Sequence, residues 1–505
     1  MKKISYIISL SALVSFAANG QVRQPHQLYF MDGIPQIVQM NPALQPKANG
    51  YVVFPPVNFN VDIYSDLSPV DLFQPKGDKL YTIFEKEYNF NKLKRSIGRN
   101  AAVINLAADI DFLGFGWRTA NGYFSFGLSA HIFANPALPS DLFNMFDKLI
   151  PEKIDFTPLG FRGMAYMQFR FGYSREITDK LTVGVNVKPI LGLAGARLKF
   201  DDLVLKTNRE EWSLVGNGAL FVSGPVKVIK EKNKDGDDIF GIDDSRFNDL
   251  IDNPSFRSVT NLINPGIAFD FGASYKIDDR LTVSASLNNL GFINWRNNSS
   301  GINFEGGTIL DFTGFDIDVS KDDIDIQIED QLERLINLDD LLADLQGDLI
   351  HDGFTTFLPT VFHAGATYQL TRKSTAGFLS RTVFYPGGSV RQSFNLSYYT
   401  PVIGNVFLFN TGLTYQVNST AYLNLGFIFN IAPLQFYILF GSIPLQFSKI
   451  SIDDRSLSSY LFKDSNIPLP VHTQLLNFRL GFNLTFGRHG FRNNPMLDKG
   501  KSSWE

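Results

Sequence analysis

Residues 477–486 read Asn-Phe-Arg-Leu-Gly-Phe-Asn-Leu-Thr-Phe, and this stretch decides the fold class. Phenylalanine and leucine occupy every second position, while Asn, Arg, Gly and Thr fill the positions between them. Because side chains alternate between the two faces of a β-strand, the stretch predicts a strand with one apolar and one polar face.

The same alternation recurs along the whole chain. It is found at residues 124–132, 181–188, 281–288, 394–398, 407–415, 423–429 and 434–440. The apolar faces carry bulky Phe, Leu and Tyr, whereas the opposite faces carry Gly, Ser, Thr and Asn with occasional Arg or Lys. This distribution predicts an all-β transmembrane barrel with lipid outside and a polar lumen inside. A soluble all-β protein is the alternative.

A short internal repeat predicts the topology. The segment from Tyr173 to Val183 is echoed by the segment from Tyr275 to Val283, each with a charged tight turn between two strands. Each repeat precedes a long polar excursion, so we predict periplasmic turns and extracellular excursions. Counting outward from the repeats gives about fourteen antiparallel strands, an even number that returns both chain ends to the periplasm.

The N-terminus predicts export. Lys2 and Lys3 precede an apolar run, and small residues follow it at Ala18 and Gly20, so a signal peptide is expected over 1–20 with cleavage after Gly20. The chain has no cysteine, which excludes a lipid-anchored lipoprotein and a disulfide scaffold.

The rest of the chain divides into three parts. We predict a plug or hatch segment over 21–50, with a periplasmic tail as the alternative, the barrel over 51–487 and a polar tail over 488–505.

Composition limits the possible binding partners and the class of membrane protein. The net charge of −4 gives no argument for nucleic-acid binding. A mean hydropathy of −0.03, with no second long apolar run, excludes a helical membrane protein. The expected location is the outer membrane of a Gram-negative bacterium, with membrane lipid and the barrel-assembly machinery as partners.

Two long excursions carry further signals. The one from Asp201 to Asn264 contains an acidic run at 233–244, interpreted as a solvated loop, with a calcium site as the alternative that fails the EF-hand spacing. The one from Arg296 to Phe357 has apolar residues at helical spacing, which predicts an amphipathic helix serving as a lid or, alternatively, binding a partner. Those residues are Ile328, Leu332, Leu335, Ile336, Leu342 and Leu345.

No motif points to catalysis. The six histidines lack metal-ligand spacing, and nucleophile-elbow, phosphate-loop and dinucleotide motifs are absent, so we predict no enzyme, no cofactor and no metal. His131 and His363 lie on predicted strands, where a satisfied lumen residue is the expected role. Pairing with a nearby serine as a catalytic dyad is the alternative.

Several motifs carry a family resemblance. They are Tyr29-Phe-Met-Asp-Gly-Ile-Pro35, Asn41-Pro-Ala-Leu44, Pro433-Leu-Gln-Phe-Tyr437 and the closing strand at 477–484. With these, the chain resembles the FadL-like outer-membrane barrel superfamily and, within it, an uncharacterised Bacteroidota family related to PorV and PorP/SprF-type barrels. The resemblance implies a fourteen-stranded barrel whose N-terminal segment plugs the lumen, with Asn41, Pro42 and Ala43 in that hatch.

Two functions follow from this interpretation. The preferred one is transport of small hydrophobic or amphiphilic molecules, with such a molecule as ligand. The other is a non-transporting accessory barrel of a secretion or gliding machinery, with a protein partner bound through its extracellular loops. The residues predicted to face the lumen are polar, which suits a plugged barrel; they are Arg170, Lys188, Asn288, Arg479 and Asn483.

Overall fold

The fold is described from a computed structural model, which covers residues 24–53, 58–72, 74–76, 79–81, 88–97, 101–146, 152–207, 212–232, 236, 238–252, 260–312, 345–386, 388–417, 419, 421–445, 447–450, 467–470 and 475–488. The predicted signal peptide and C-terminal tail lie outside the described residues, apart from Arg488. So do the predicted amphipathic helix up to residue 344 and residues 233–235 and 237 of the acidic run.

The first ten strands are β1 (Ala48–Val53), β2 (Asn58–Ser65), β3 (Gln74–Lys76), β4 (Lys79–Tyr81), β5 (Ala101–Arg118), β6 (Gly122–Ala134), β7 (Ala137–Pro139), β8 (Lys153–Asp155), β9 (Gly160–Glu176) and β10 (Leu181–Thr207). The next eight are β11 (Trp212–Ser223), β12 (Lys227–Lys232), β13 (Asp238–Asp243), β14 (Asn264–Lys276), β15 (Leu281–Trp295), β16 (Ser299–Phe312), β17 (Asp348–Ile350) and β18 (Phe354–Phe357).

The last nine are β19 (Thr360–Gln369), β20 (Thr375–Phe384), β21 (Val390–Ile403), β22 (Phe407–Gln416), β23 (Ala421–Ile431), β24 (Leu434–Pro444), β25 (Phe447–Ile450), β26 (Ile467–Pro470) and β27 (Leu475–Arg488). The helices are α1 (Pro69–Leu72), α2 (Phe90–Ile97) and α3 (Ser245–Asp252), with 3₁₀ helices at His26–Phe30, Pro35–Gln39 and Ser140–Phe146. None of the described helices has the length and apolarity needed to cross a membrane.

The strands close into a barrel. β1 and β2 together form its first strand, because both pair with β5 on one side and with β27 on the other. The order then runs β5, β6, β9, β10, β14, β15, β19, β20, β21, β22, β23, β24 and β27, each antiparallel to its neighbours. The prediction of a fourteen-stranded antiparallel transmembrane barrel is confirmed. Closure leaves no barrel strand with an unpaired edge facing lipid.

The outward face is apolar, as a surface in contact with lipid requires. Large side chains such as Leu396, Phe171 and Leu413 are half exposed there, although they would be buried in a water-soluble protein. Aromatic side chains cluster where the strands meet the short turns. They are Trp117, Phe124, Tyr173, Tyr275, Tyr368, Phe429, Phe436 and Phe486. A girdle of this kind marks the membrane–water interface.

The two ends of the barrel differ. At one, the turn end, neighbouring strands are joined by a few residues, and the two predicted repeat turns have the same geometry. The Ile177 and Ile277 N–H groups donate to the carbonyls of Leu181 and Leu281. In the second turn the Asp278 carboxylate accepts N–H bonds from Arg280 (2.7 Å) and Leu281 (2.8 Å), which lowers its pKa.

At the opposite end, the loop end, part of the wall continues far beyond the barrel. β10 runs for 27 residues, and its last half pairs with β11, which pairs with β16. We call this three-stranded extension the blade; Leu203, Ile302 and Phe304 pack in its buried core. The predicted polar excursion from Asp201 to Asn264 therefore contains paired strands, since the end of β10 pairs with β11.

Candidate functional site

The lumen contains the N-terminal segment 24–47, which we call the plug. Its two 3₁₀ helices begin after Pro25 and at Pro35, whose fixed φ suits a first helical position. Leu28, Tyr29 and Met31 are buried against the inner face of β20–β24. This apolar contact gives the plug a hydrophobic core of its own within an otherwise polar lumen.

Glycines on the inner face of the wall make room for the plug. A Cβ at Gly365 would overlap the Tyr29 ring, and one at Gly377 would overlap the Phe30 ring. Gly184 and Gly272 stand in the same relation to the segment around Pro42. The plug thus occupies space that any larger side chain at these positions would fill.

Asn41, Pro42 and Ala43 lie at the bottom of this contact. The Asn41 amide donates to the Ala285 carbonyl (3.1 Å) and to the Tyr29 hydroxyl (3.0 Å), and its Oδ1 accepts the Ala43 N–H (2.9 Å). Asn41 is fully buried, so these bonds replace the water that its amide loses. Asparagine at this point therefore joins the plug to the wall.

The five residues predicted to face the lumen are all buried inside the barrel. Asn288 donates to the carbonyl of Met40 (2.8 Å), and Asn483 exchanges bonds with Gln36 (2.7 and 3.1 Å). Arg479 forms an ion pair with Asp111 of the wall (3.0 Å) and donates to Gln39 Oε1 of the plug (3.1 Å). These contacts tie the wall to the plug on opposite sides of the lumen.

Arg170 and Lys188 belong to a group of polar and charged lumen side chains that we call the polar layer. The Lys188 ammonium lies 2.6 Å from the Asp270 carboxylate and also donates to Asn289 Oδ1 (2.5 Å). Arg170 donates to the Ser125 hydroxyl (3.0 Å). Buried charges require partners of this kind, since an isolated one would cost several kcal/mol.

The polar layer encloses a cavity of about 60 Å³. Its lining comprises Gln24 and Gln39 of the plug and, from the wall, Asp109, Asp111, Ser129, His131, Tyr166, Gln168, Arg170, Lys188 and Asn289. Alternation on their strands predicted that Arg170 and Lys188 face the lumen. Asp109 and Asp111 show the same alternation on β5, so the same signal could have predicted them as lumen residues.

An apolar collar closes the lumen above the polar layer, toward the loop end. Phe133 follows His131 by two residues on β6, and Ile190 follows Lys188 by two residues on β10, so each pair shares one face. The collar consists of Phe133, Met164, Tyr166, Ile190, Ala268, Ile293, Trp295, Phe354 and Leu358. The lumen is therefore layered from plug to charges to apolar side chains.

The wall beside the cavity is irregular at one height, which we call the wall patch. Pairing between β9 and β10 stops at Lys188–Pro189, where proline has no N–H to donate. The register between β14 and β15 shifts next to Asn289, whose φ is +59°. Between β15 and the β18–β19 segment, regular pairing is interrupted from Leu358 to Thr360, where the Leu358 N–H still donates to the Gly291 carbonyl (2.9 Å). Regular pairing is thus interrupted or shifted in three seams of this part of the wall, and Lys188 and Asn289 at two of them line the cavity.

Comparisons with known proteins found one family model and several solved structures. A model described as "Family of unknown function (DUF5723)" matches residues 42–441. No curated protein matches the sequence. Similar solved structures include the toluene transporter TbuX of Ralstonia pickettii, with 10% identity, a TM-score of 0.39 and coverage of 93% of this chain and 99% of that one.

A FadL homologue of Pseudomonas aeruginosa shows 12% identity and a TM-score of 0.41, covering 93% of this chain and 98% of the other. The translocator domain of the autotransporter NalP of Neisseria meningitidis shows 8% identity and a TM-score of 0.32, covering 87% and 89%. The description of the matching family names no activity, so function has to be inferred from the lumen and the wall.

Proposed function

The chain belongs to the family of unknown function DUF5723, and we propose that it is an outer-membrane barrel that transports small amphiphilic molecules. The apolar outward face and the aromatic girdle support a membrane location, and the predicted signal peptide supports the outer membrane. In this assignment the turn end faces the periplasm and the loop end faces the cell surface.

The observation that carries the transport proposal is the position of the cavity. It lies between the apolar collar above, the plug below and the wall patch at its side. An amphiphile would place its apolar part among collar residues such as Ile190 and Trp295 and its polar head beside Arg170 and Lys188. Such pairing of an apolar pocket with a few fixed polar groups is typical of small-molecule sites.

The exit we propose is the wall patch. An intact antiparallel ladder resists separation because each strand residue pair contributes hydrogen bonds, whereas the patch lacks them at Pro189 and Pro359. The outward side chains Leu290 and Phe357 border the patch and are exposed toward lipid. With about 60 Å³ free, the lumen admits a ligand only when the plug or the patch moves.

A second candidate function is a non-transporting accessory barrel. The observation that favours it is the dense bonding of the plug, for example Gln27 to two wall carbonyls and Gln36 to Asn483. The blade supplies an extracellular surface, with a cleft of about 280 Å³ lined by Arg197, Lys199, Asp201 and Glu305 among others. A protein partner bound there would need no movement of the plug.

Native mass spectrometry of the protein, extracted gently from its own membrane, separates the two functions. A co-purified amphiphile that is lost when residues 24–47 are deleted would support transport and place the ligand at the plug. A ligand-free barrel carrying a stoichiometric protein would contradict transport and establish the accessory function. Deletion of β12, β13 and α3 provides a control, because it alters the surface and leaves the lumen intact.

A further inference from the structure

Three side chains of the polar layer, those of Ser129, His131 and Asp109, form a continuous chain of hydrogen bonds. Ser129 and His131 are two residues apart on β6 and therefore share its inward face, and Asp109 is the strand partner of His131 on β5. The Ser129 hydroxyl lies 2.9 Å from His131 Nε2, and His131 Nδ1 lies 2.5 Å from Asp109 Oδ1. Both contacts are within hydrogen-bond distance.

The donor and the acceptor in each of these hydrogen bonds can be assigned. An ionised carboxylate can only accept, so Asp109 fixes the proton of the neutral imidazole on Nδ1. Nε2 is then free to accept the proton of the Ser129 hydroxyl. The His131 ring stacks on Tyr166 at 4.8 Å, and the Gln24 amide of the plug donates to Asp109 Oδ2 (3.1 Å). The plug therefore helps to hold the carboxylate that orients the histidine.

A second serine–histidine pair in the same lumen lacks this order. The Ser286 hydroxyl lies 3.1 Å from His363 Nδ1 and donates to the Met40 carbonyl (2.8 Å). Within the described residues no group bonds to His363 Nε2. With no carboxylate to orient His363 and with its hydroxyl proton given to the plug, Ser286 is a matched comparison in which the nucleophile is not activated.

We propose that Ser129, His131 and Asp109 cleave short-chain acyl esters, with Ser129 as nucleophile, His131 as general base and acid, and Asp109 as a positioning residue. This arrangement of roles is recognised by geometry and recurs on unrelated folds. The free space of about 60 Å³ adjoins Ser129. It equals about two water molecules, so the acyl group has the size of an acetyl group.

The reaction balances with water as the only co-substrate. Ser129 Oγ bonds to the ester carbonyl carbon while its proton passes to His131 Nε2. The carbon–alkoxide bond then breaks, and the departing alcohol takes that proton. Water attacks the acyl-serine with His131 again accepting a proton, the carboxylic acid leaves, and Ser129 regains its hydrogen.

The developing negative charge on the carbonyl oxygen needs fixed donors. Gln168, the strand partner of Ser129 on β9, lines the same cavity together with Arg170 and Lys188. Amide and cationic N–H groups thus surround the space where the oxyanion forms. The collar residues are closely packed, so the alcohol part of the ester needs the same movement of the plug or the wall patch as any larger ligand.

The test uses the full-length mature protein in detergent with p-nitrophenyl acetate. We expect p-nitrophenolate release and an acetyl group located on Ser129 by peptide mass spectrometry. S129A should abolish the acetylation, and H131Q should slow nitrophenolate release by about 10³-fold or more. D109N should also slow it strongly, and D109E should recover part of the rate, which a merely structural carboxylate would not produce.

S286A is the control and should retain the rate of the unmodified protein. All variants must show the electrophoretic mobility of the folded barrel in unheated gels. Absence of acetyl-Ser129 in the folded protein, or equal rates for S129A and S286A, would overturn the proposal. Since hydrolysis is measured without any membrane crossing, its failure would leave the transport proposal standing, and the reverse also holds.

Discussion

Two bulges in the same barrel wall have different partners in the lumen. Between β23 and β24 the register shifts near Leu425, and the Gln27 amide of the plug donates to the carbonyls of Leu425 (3.2 Å) and Phe440 (3.0 Å). Between β14 and β15 the shift lies next to Asn289, whose N–H donates to Asp270 (2.8 Å). The plug fills the first bulge, whereas buried charges and a cavity occupy the second.

The difference separates a structural irregularity from a functional one. The bulge at Leu425 holds the plug in place, and its unpaired carbonyls are satisfied by a neutral amide. The bulge at Asn289 is accompanied by Pro359 on the adjacent β15–β19 seam and by Pro189 on the β9–β10 seam, which the unbroken β10–β14 ladder separates from it. It faces the cavity lined by Lys188. Irregular pairing beside a cavity with buried charge is the expected place for ligand passage, since bulges are frequent next to functional sites.

The largest effect is expected from D270A, which removes the partner of the buried Lys188 and the acceptor of the Asn289 N–H. An uncompensated buried charge should lower the free energy of unfolding by about 3–5 kcal/mol. Urea unfolding of the barrel in lipid vesicles measures it. The double variant K188M/D270L, which removes both charges, should recover most of the loss; no recovery would mean that the ion pair does not hold the bulge.

The next effect concerns the plug. In G377V the added side chain would overlap the Phe30 ring, so the plug should shift and the free energy of unfolding should fall by about 2–3 kcal/mol. Limited proteolysis should then cut within residues 24–47 faster than in the unmodified protein. G307A is the control, because the nearest atom to its new Cβ would be 3.7 Å away. Equal cutting in both variants would contradict a tightly packed plug.

A smaller effect is expected from Q27A, which leaves the carbonyls of Leu425 and Phe440 without their donor. The plug should be less stable by about 1–2 kcal/mol, because the two carbonyls lose a single amide donor. Hydrogen exchange of the plug amides measures it, and Q369A, on an exposed side chain, is the control. If exchange at Leu28 is unchanged, the bulge at Leu425 does not anchor the plug.

The smallest effect concerns the Asp278 turn. Its lowered pKa comes from the N–H groups of Arg280 and Leu281, so the ionised form is favoured in the folded turn. The stabilisation of the folded turn by the ionised carboxylate is present above the ordinary pKa of an aspartate. It is lost as the pH falls through the lowered pKa of Asp278 in the folded protein. Exchange of the Arg280 and Leu281 amides should therefore increase at acidic pH relative to the homologous Lys180 and Leu181 amides, where Thr178 accepts instead. Parallel pH profiles would contradict this assignment.

The strand pattern could be predicted from sequence because alternation is local. The alternation from Phe478 to Phe486 predicts which side chains face lipid and which face the lumen without information from any other strand. The repeat at Tyr173 and Tyr275 predicts the tight turns that connect the strands. The same signal predicted that Lys188 and Arg479 face the lumen, and in the structure each forms an ion pair there, with Asp270 and Asp111.

The arrangement within the lumen could not be predicted in this way. The contact between Ser129, His131 and Asp109 depends on the register of β5 against β6, and the cavity depends on where the plug places Gln24 and Gln39. The blade was missed because charged residues such as Asp201 and Asp202 interrupt the alternation on a strand that continues to Thr207. Register and plug position result from packing over the whole barrel, which a single strand does not encode.

The central claim is that a small amphiphile leaves the lumen through the wall patch, and a disulfide across its seam tests this most directly. Cysteines at Leu287 and Phe362, strand partners on β15 and β19, would pin the seam next to the gap. Cysteines at Phe378 and Leu396, strand partners on β20 and β21, would pin an intact seam as control. The chain has no other cysteine. The purified proteins are loaded with radiolabelled decanoic acid, and its release after dilution is followed by filtration. The account predicts release at least about tenfold slower in the oxidised patch variant, restored by reductant and unchanged in the control, since tenfold corresponds to about 1.4 kcal/mol in the barrier. Equal release from both oxidised variants, or no binding of decanoic acid to the unmodified protein, would contradict it.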